Sequence, residues 1–145
     1  MQLQEERIES LKAGVLGSSA IALTYAAITL LEDRMDASFR SDFNQLPFLM
    51  DWSDWFSLGS AALMGLLFGV TYRYIVRQDP NLHLASGAVL AFGLVRGLSQ
   101  IEPLISLSPD PAWLVLMVGE SLVLFAVARL VIDIAFLQGW VKRFP

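Results

Sequence analysis

The sequence predicts an all-α fold, a membrane-embedded four-helix bundle with short hairpin connections and one longer acidic and aromatic loop. Three observations predict it. Of 145 residues, 55% are hydrophobic and only 17% charged, whereas soluble domains run nearer a quarter charged. Four apolar segments approach the roughly 20 residues needed to cross the hydrocarbon core of a bilayer. Turn-forming stretches separate most of them. A water-soluble domain of this length would need a polar shell that these residues do not supply, so the chain reads as a single transmembrane domain.

The first helix is expected over residues 11–31. It follows an opening with Glu5, Glu6, Arg7 and Glu9, which lacks the positive n-region of a secretory signal, so it is expected to act as an uncleaved signal anchor. Residues 32–54 mix Asp33, Asp36, Asp42, Asp51 and Asp54 with Phe39, Phe43, Phe48 and Trp52. Within them Leu46-Pro47-Phe48-Leu49-Met50 is too short to span, so this connection reads as an interfacial loop. The second helix is expected over 55–75, and Asp79-Pro80-Asn81 makes the turn to the third, over 82–101, which Glu102-Pro103 ends. Ser108-Pro109-Asp110-Pro111 then starts the fourth, over 112–137, with Asp110 as its cap and Pro111 in its first turn. That helix is longer than a span requires, and Trp113 and Trp140 mark its two interfaces.

Basic residues fix the expected orientation. Arg7, Lys12, Arg73, Arg77, Lys142 and Arg143 fall on one side and only Arg34 and Arg40 on the other. The positive-inside rule therefore places both termini in the cytoplasm or stroma and the acidic loop on the opposite side.

Helices in lipid gain nothing hydrophobic by associating, so they meet where small side chains recur at four-residue spacing. Such rows are Gly14, Ser18, Ala22 and Ala26 on the first helix, Ser57, Ala61, Gly65 and Gly69 on the second, and Gly93 and Gly97 on the third. They read as internal packing faces.

Ionisable groups at membrane depth each cost at least about 2.5 kcal/mol unless paired or solvated. If the third helix runs outward and the fourth returns, Arg96 and Glu120 lie at matching depth, and an ion pair is expected between them. It reads either as a structural clamp or as a site for an anionic headgroup, a pigment or a partner's polar group. Arg129 and Asp133, spaced i,i+4 toward the cytoplasmic end, are expected to pair with each other. Arg73 and Arg77, with Tyr72 and Tyr74, read as an ordinary interfacial belt whose functional version is binding of lipid headgroups.

Several function classes find no support. The chain has no cysteine, which excludes disulfides and thiolate chemistry. His83 is the single histidine, so a bis-histidine haem lacks its second ligand. No metal-spaced cluster, phosphate loop or nucleophile, base and orienter set occurs, and Gly14-x-x-Gly17 on an apolar helix is a packing pattern; the expectation is no enzyme and no metal. The net charge of −4 offers no basic stripe to nucleic acid.

The opening Gln2-Leu3-Gln4-Glu5-Glu6-Arg7-Ile8-Glu9-Ser10-Leu11-Lys12-Ala13-Gly14 and the run Ala85-Ser86-Gly87-Ala88-Val89-Leu90-Ala91-Phe92-Gly93-Leu94-Val95-Arg96-Gly97-Leu98 resemble small uncharacterised integral membrane proteins of cyanobacteria and chloroplasts. The resemblance implies a thylakoid location and a part in assembling or stabilising photosynthetic or respiratory complexes. The first expectation is therefore a non-catalytic accessory subunit or assembly factor whose partners are the bilayer and other integral membrane proteins. The alternative is a small oligomeric transporter or channel with Arg96 and Glu120 in a polar path, although paired broken helices are missing. A pigment or quinone binder using Tyr25, Trp55 and His83 is a third, with no cofactor as the first expectation.

Overall fold

A computed structural model describes residues 2–39, 52–77, 82–107 and 110–144. Four α-helices account for nearly all of them: α1 (Gln2–Phe39), α2 (Trp52–Ile75), α3 (Leu82–Ile101) and α4 (Pro111–Leu137), with a 3-10 segment at Glu102–Leu107 after α3. No strand occurs among the described residues. All four helices are long and apolar enough to cross a membrane. The Leu46–Met50 segment and the turns at 79–81 and 108–109 lie outside the described residues.

The helix ends differ from the hydropathy boundaries in a systematic way. α1 has 38 residues rather than the 21 of its apolar run, a rod of roughly 57 Å at 1.5 Å per residue. Hydropathy marks where apolar residues stop, but Glu, Gln, Arg and Met are good helix formers. Neither Gln2–Ser10 nor Glu32–Phe39 contains a glycine or proline to stop the helix. Residues 32–39 thus belong to α1 rather than to the loop.

The bundle is built from two tight antiparallel pairs. α1 packs most extensively on α2, and α3 on α4, with α1 against α4 joining the pairs. In the first pair Gly17 lies against Gly65 and Gly69 against Ala13; a Cβ on Gly65 would stand 2.7 Å from the Gly17 carbonyl oxygen. Real Cβ atoms do not come so close, so these are backbone-on-backbone contacts that only glycine allows. In the second pair a Cβ on Gly93 would meet Leu122 Cδ2 at 2.7 Å, and one on Gly97 would meet the Val118 Cα at 2.9 Å. The glycines of these rows are thus consumed inside the chain.

Where α2 meets the second pair, an aromatic cluster forms. Phe68 of α2, fully buried, stacks on Tyr72 with centroids 5.3 Å apart and meets Phe92 of α3 and Phe125 of α4 edge-on at 5.4 and 5.2 Å. Such pairs contribute about 0.5–1.5 kcal/mol each beyond their area. On α4, Ser121, Leu124, Phe125, Ala128, Ile132, Ala135 and Phe136 are buried, one face at helical spacing. Trp113 and Trp140 stand exposed at its two ends.

Caps set the limits of α4. Asp110 Oδ1 accepts from the Ala112 amide at 2.9 Å, and Pro111 occupies the first turn. At the other end Gly139 adopts φ +74°, and the amides of Trp140 and Gly139 return to the carbonyls of Ala135 and Phe136 at 3.0 and 3.3 Å. This is a Schellman closure, and it needs the glycine because other L-residues are strained at that φ.

Candidate functional site

Polar side chains gather at three levels of this apolar bundle. The densest group lies at the end where both chain termini meet, and its centre is Arg73 in the last turn of α2. Its side chain is wholly buried, with Nη2 2.5 Å from Glu6 Oε2. Nη1 donates to Ser10 Oγ at 2.7 Å and to the Glu6 carbonyl at 3.2 Å, and Nε donates to the Lys142 carbonyl at 2.8 Å. The Gly139 turn makes the last of these bonds available: it folds the chain back, seats Val141 in the core and delivers Lys142 to the amino-terminal end of α1. There the Lys142 amide donates to Glu9 Oε2 at 2.8 Å, while Lys12 Nζ holds the other oxygen at 2.8 Å. Tyr74 Oη lies 3.1 Å from Ser10 Oγ, and its ring is 4.9 Å from that of Phe144.

This overturns the reading of Arg73 as a ligand for lipid headgroups. Each guanidinium nitrogen is bonded within the protein, and no surface remains for an external anion. Arg77, one turn further, is exposed, with its guanidinium 5.5 Å from the Phe144 ring centroid. The carboxyl-terminal tail, from which the sequence yielded only an interfacial tryptophan and positive charge, is the missed element. Gly139, two residues past the last helical leucine, was its signal.

At the second level the structure brings Arg129 and Asp133 together, with Nε 3.4 Å from Oδ2. Asp133 Oδ1 also accepts from the buried Tyr72 hydroxyl at 2.8 Å, which ties α2 to α4. Tyr72 read as part of an interfacial belt; it is instead a core residue with a polar handle, the usual condition of a buried tyrosine.

The third level holds Arg96 of α3. Gly97 opposite Val118 and Gly93 opposite Leu122 set a register that puts Arg96 and Glu120 at one height. Arg96 is 5% exposed, and its guanidinium lies 5.8 Å from the Tyr25 ring centroid on α1. Arg96 Nε is buried with no hydrogen-bond partner. One turn away Ser121 Oγ donates to Gln100 Oε1 at 2.8 Å, a polar tie between α3 and α4.

Comparison with protein-family models, curated proteins and solved structures finds no match to this chain.

The chemistry on offer is therefore that of the residues themselves. No group of three His, Asp or Glu side chains is placed to hold a metal among the described residues. Tyr25, Trp55 and His83 do not form one pigment or quinone site: Trp55 begins α2 and His83 begins α3, at opposite ends of the bundle, and Tyr25 packs against Arg96. Gly14, Gly65, Gly69, Gly93 and Gly97 all lie in close helix contacts, and Ser18 meets Gly65 through its Cα; Ala22 is half-buried.

The expected pairing of Arg96 with Glu120 has a measurable signature. Glu120→Leu is expected to destabilise the protein by more than Glu120→Leu combined with Arg96→Leu, because the single change leaves a buried guanidinium without its counter-charge. A thermal-shift series in detergent checks this, and simple additivity of the two losses would remove the pairing.

Proposed function

We propose that this chain is a non-catalytic integral membrane protein that acts as an accessory subunit or assembly and stability factor of a larger membrane complex. The observation that supports the reading most is that its buried polar groups hold the bundle closed. Arg73 joins α1, α2 and the tail, Tyr72 joins α2 to α4, and Ser121 joins α4 to α3. The outer surface is formed by large apolar side chains from all four helices, among them Leu23, Trp55, Leu63, Val95, Leu116 and Leu130. It is interrupted by Gly59 and Gly119, where an added Cβ would meet nothing within 4 Å. Bare backbone of this kind lets another helix approach closely in lipid. α1 also continues beyond the length of a span, which gives the bundle a helical arm for contacts outside the bilayer.

The resemblance of residues 2–14 and 85–98 to cyanobacterial and chloroplast proteins extends the proposal to a thylakoid location. The distribution of Lys and Arg puts both termini on the cytoplasmic or stromal side. Affinity purification of the tagged chain from its native membrane in mild detergent, followed by mass spectrometry, tests the reading. A stoichiometric set of subunits from one complex is the expected result; recovery of the chain alone counts against it.

A second reading, a small oligomeric transporter or channel with Arg96 and Glu120 in a polar path, is favoured by one observation, the unbonded Nε of Arg96 inside the bundle. Ion or solute flux in liposomes that is lost on Arg96→Leu would decide for it.

A further inference from the structure

α2 and α3 make a much thinner contact than α1 with α2 or α3 with α4, and at the end of the bundle that carries the termini they leave an open groove of about 530 Å³ between them. Its floor is apolar and low, formed by Ile75, Gly87, Ala91 and Phe92, and its mouth carries Arg77 and His83. A Cβ added to Gly87 would meet nothing within 4 Å. Arg77 is exposed and its guanidinium is held over Phe144, whereas the neighbouring Arg73 is fully bonded inside the protein.

We infer that this groove binds one anionic phospholipid, its hydrocarbon lying along the α3 face at Gly87 and Ala91 and its phosphate meeting Arg77. The inference rests on the membrane location of the bundle and not on the identity of any partner complex. Two features of the groove select this occupant over others. A soluble anion would satisfy Arg77 but leave the apolar floor uncovered. A zwitterionic lipid would cover the floor, but its own ammonium offsets the phosphate that would meet Arg77, so it brings no net charge to the guanidinium. Basic side chains beside a bilayer surface attract anionic headgroups with an energy that corresponds to about a five-fold preference for each residue.

Native mass spectrometry of the full chain, released from micelles after incubation with phosphatidylglycerol or phosphatidylcholine of the same acyl composition, tests the inference. The result expected is one retained phosphatidylglycerol and weaker retention of phosphatidylcholine. Arg77→Gln should reduce the preference about five-fold. Gly87→Leu, whose Cβ would meet nothing within 4 Å and whose side chain would occupy the groove, should reduce retention of both lipids, while Gly59→Leu, equally open at its Cβ but near the other end of α2, should change neither. Inorganic phosphate should not compete. Equal retention of the two lipids, or phosphatidylglycerol retention unchanged in both Arg77→Gln and Gly87→Leu, overturns the inference. Extraction of the same preparation from membranes by detergent but not by high salt or carbonate reports separately on the membrane location.

Discussion

Gly69→Leu is expected to separate α1 from α2 and to lower stability by about 3 kcal/mol or more, the upper end of the range for overpacked sites. A Cβ at position 69 would already stand 2.8 Å from the Ala13 carbonyl carbon and 2.9 Å from the Gly14 Cα. Backbone cannot rotate aside as a side chain can, so the helices themselves have to move. Because Gly17 and Gly65 touch one turn away, the displacement also opens that contact, and the loss extends along the seam. Gly69→Ala should already be destabilising. Gly59→Ala, on the same helix in open space, should be neutral or gain up to about 1 kcal/mol from helix propensity. Unfolding midpoints in detergent, measured for the three variants side by side, check the contrast; equal behaviour of positions 59 and 69 would mean that the glycine seam is not where the two helices meet.

Arg73→Met should have the second large effect. It keeps an unbranched side chain of similar reach but leaves the Glu6 carboxylate, Ser10 and the Lys142 carbonyl without their donor. Breaking a buried pair by removing one partner costs about 3–5 kcal/mol. Because the Glu6 side chain is 34% exposed, solvent takes over part of the lost interaction and the lower end of that range applies. The change has a local readout besides the global one. Lys142 and Arg143 are tryptic sites in the tail that Arg73 and Glu9 hold, so limited trypsin digestion should clip the tail several-fold faster in the variant. Arg73→Lys should recover only part of the loss, because one ammonium group cannot reproduce the fork that meets Glu6, Ser10 and Lys142 together.

The four long apolar helices were legible because each is marked by a run of roughly 20 apolar residues. The ends of α1 were not, since charged residues that end an apolar run continue a helix equally well. That error has a consequence at Arg73. With Gln2–Ser10 read as a flanking segment, nothing remained to cover the end of α2, and Arg73 and Arg77 looked equivalent. Once the helix begins at Gln2, Glu6 and Ser10 stand one turn apart beside Arg73 and bury it, while Arg77 falls just beyond their reach.

The small-residue rows on α2 and α3 were readable from spacing alone. On α1 the row through Gly14, Ser18, Ala22 and Ala26 has a neighbour, through Ala13, Gly17, Ala20 and Ile21, that is also small for most of its length. The structure buries the second row more completely, with Ala13 and Ile21 at 0% exposure. Which of two adjacent rows faces the partner depends on the partner's own surface, and that information is not local. The tie between Tyr72 and Asp133 was hidden for the same reason: the residues are 61 positions apart, and each has an ordinary explanation on its own helix.

The central claim is that four helices cross a bilayer with both termini on one side. Because the chain has no cysteine, single cysteines can be introduced at Gln4, Gln45, Gln78, Ser108 and Arg143 and labelled with a membrane-impermeant maleimide in sealed membrane vesicles of known orientation. The account predicts that positions 4, 78 and 143 react from one side and positions 45 and 108 from the other. Labelling of all five from the same side, or of positions 4 and 143 from opposite sides, would contradict it.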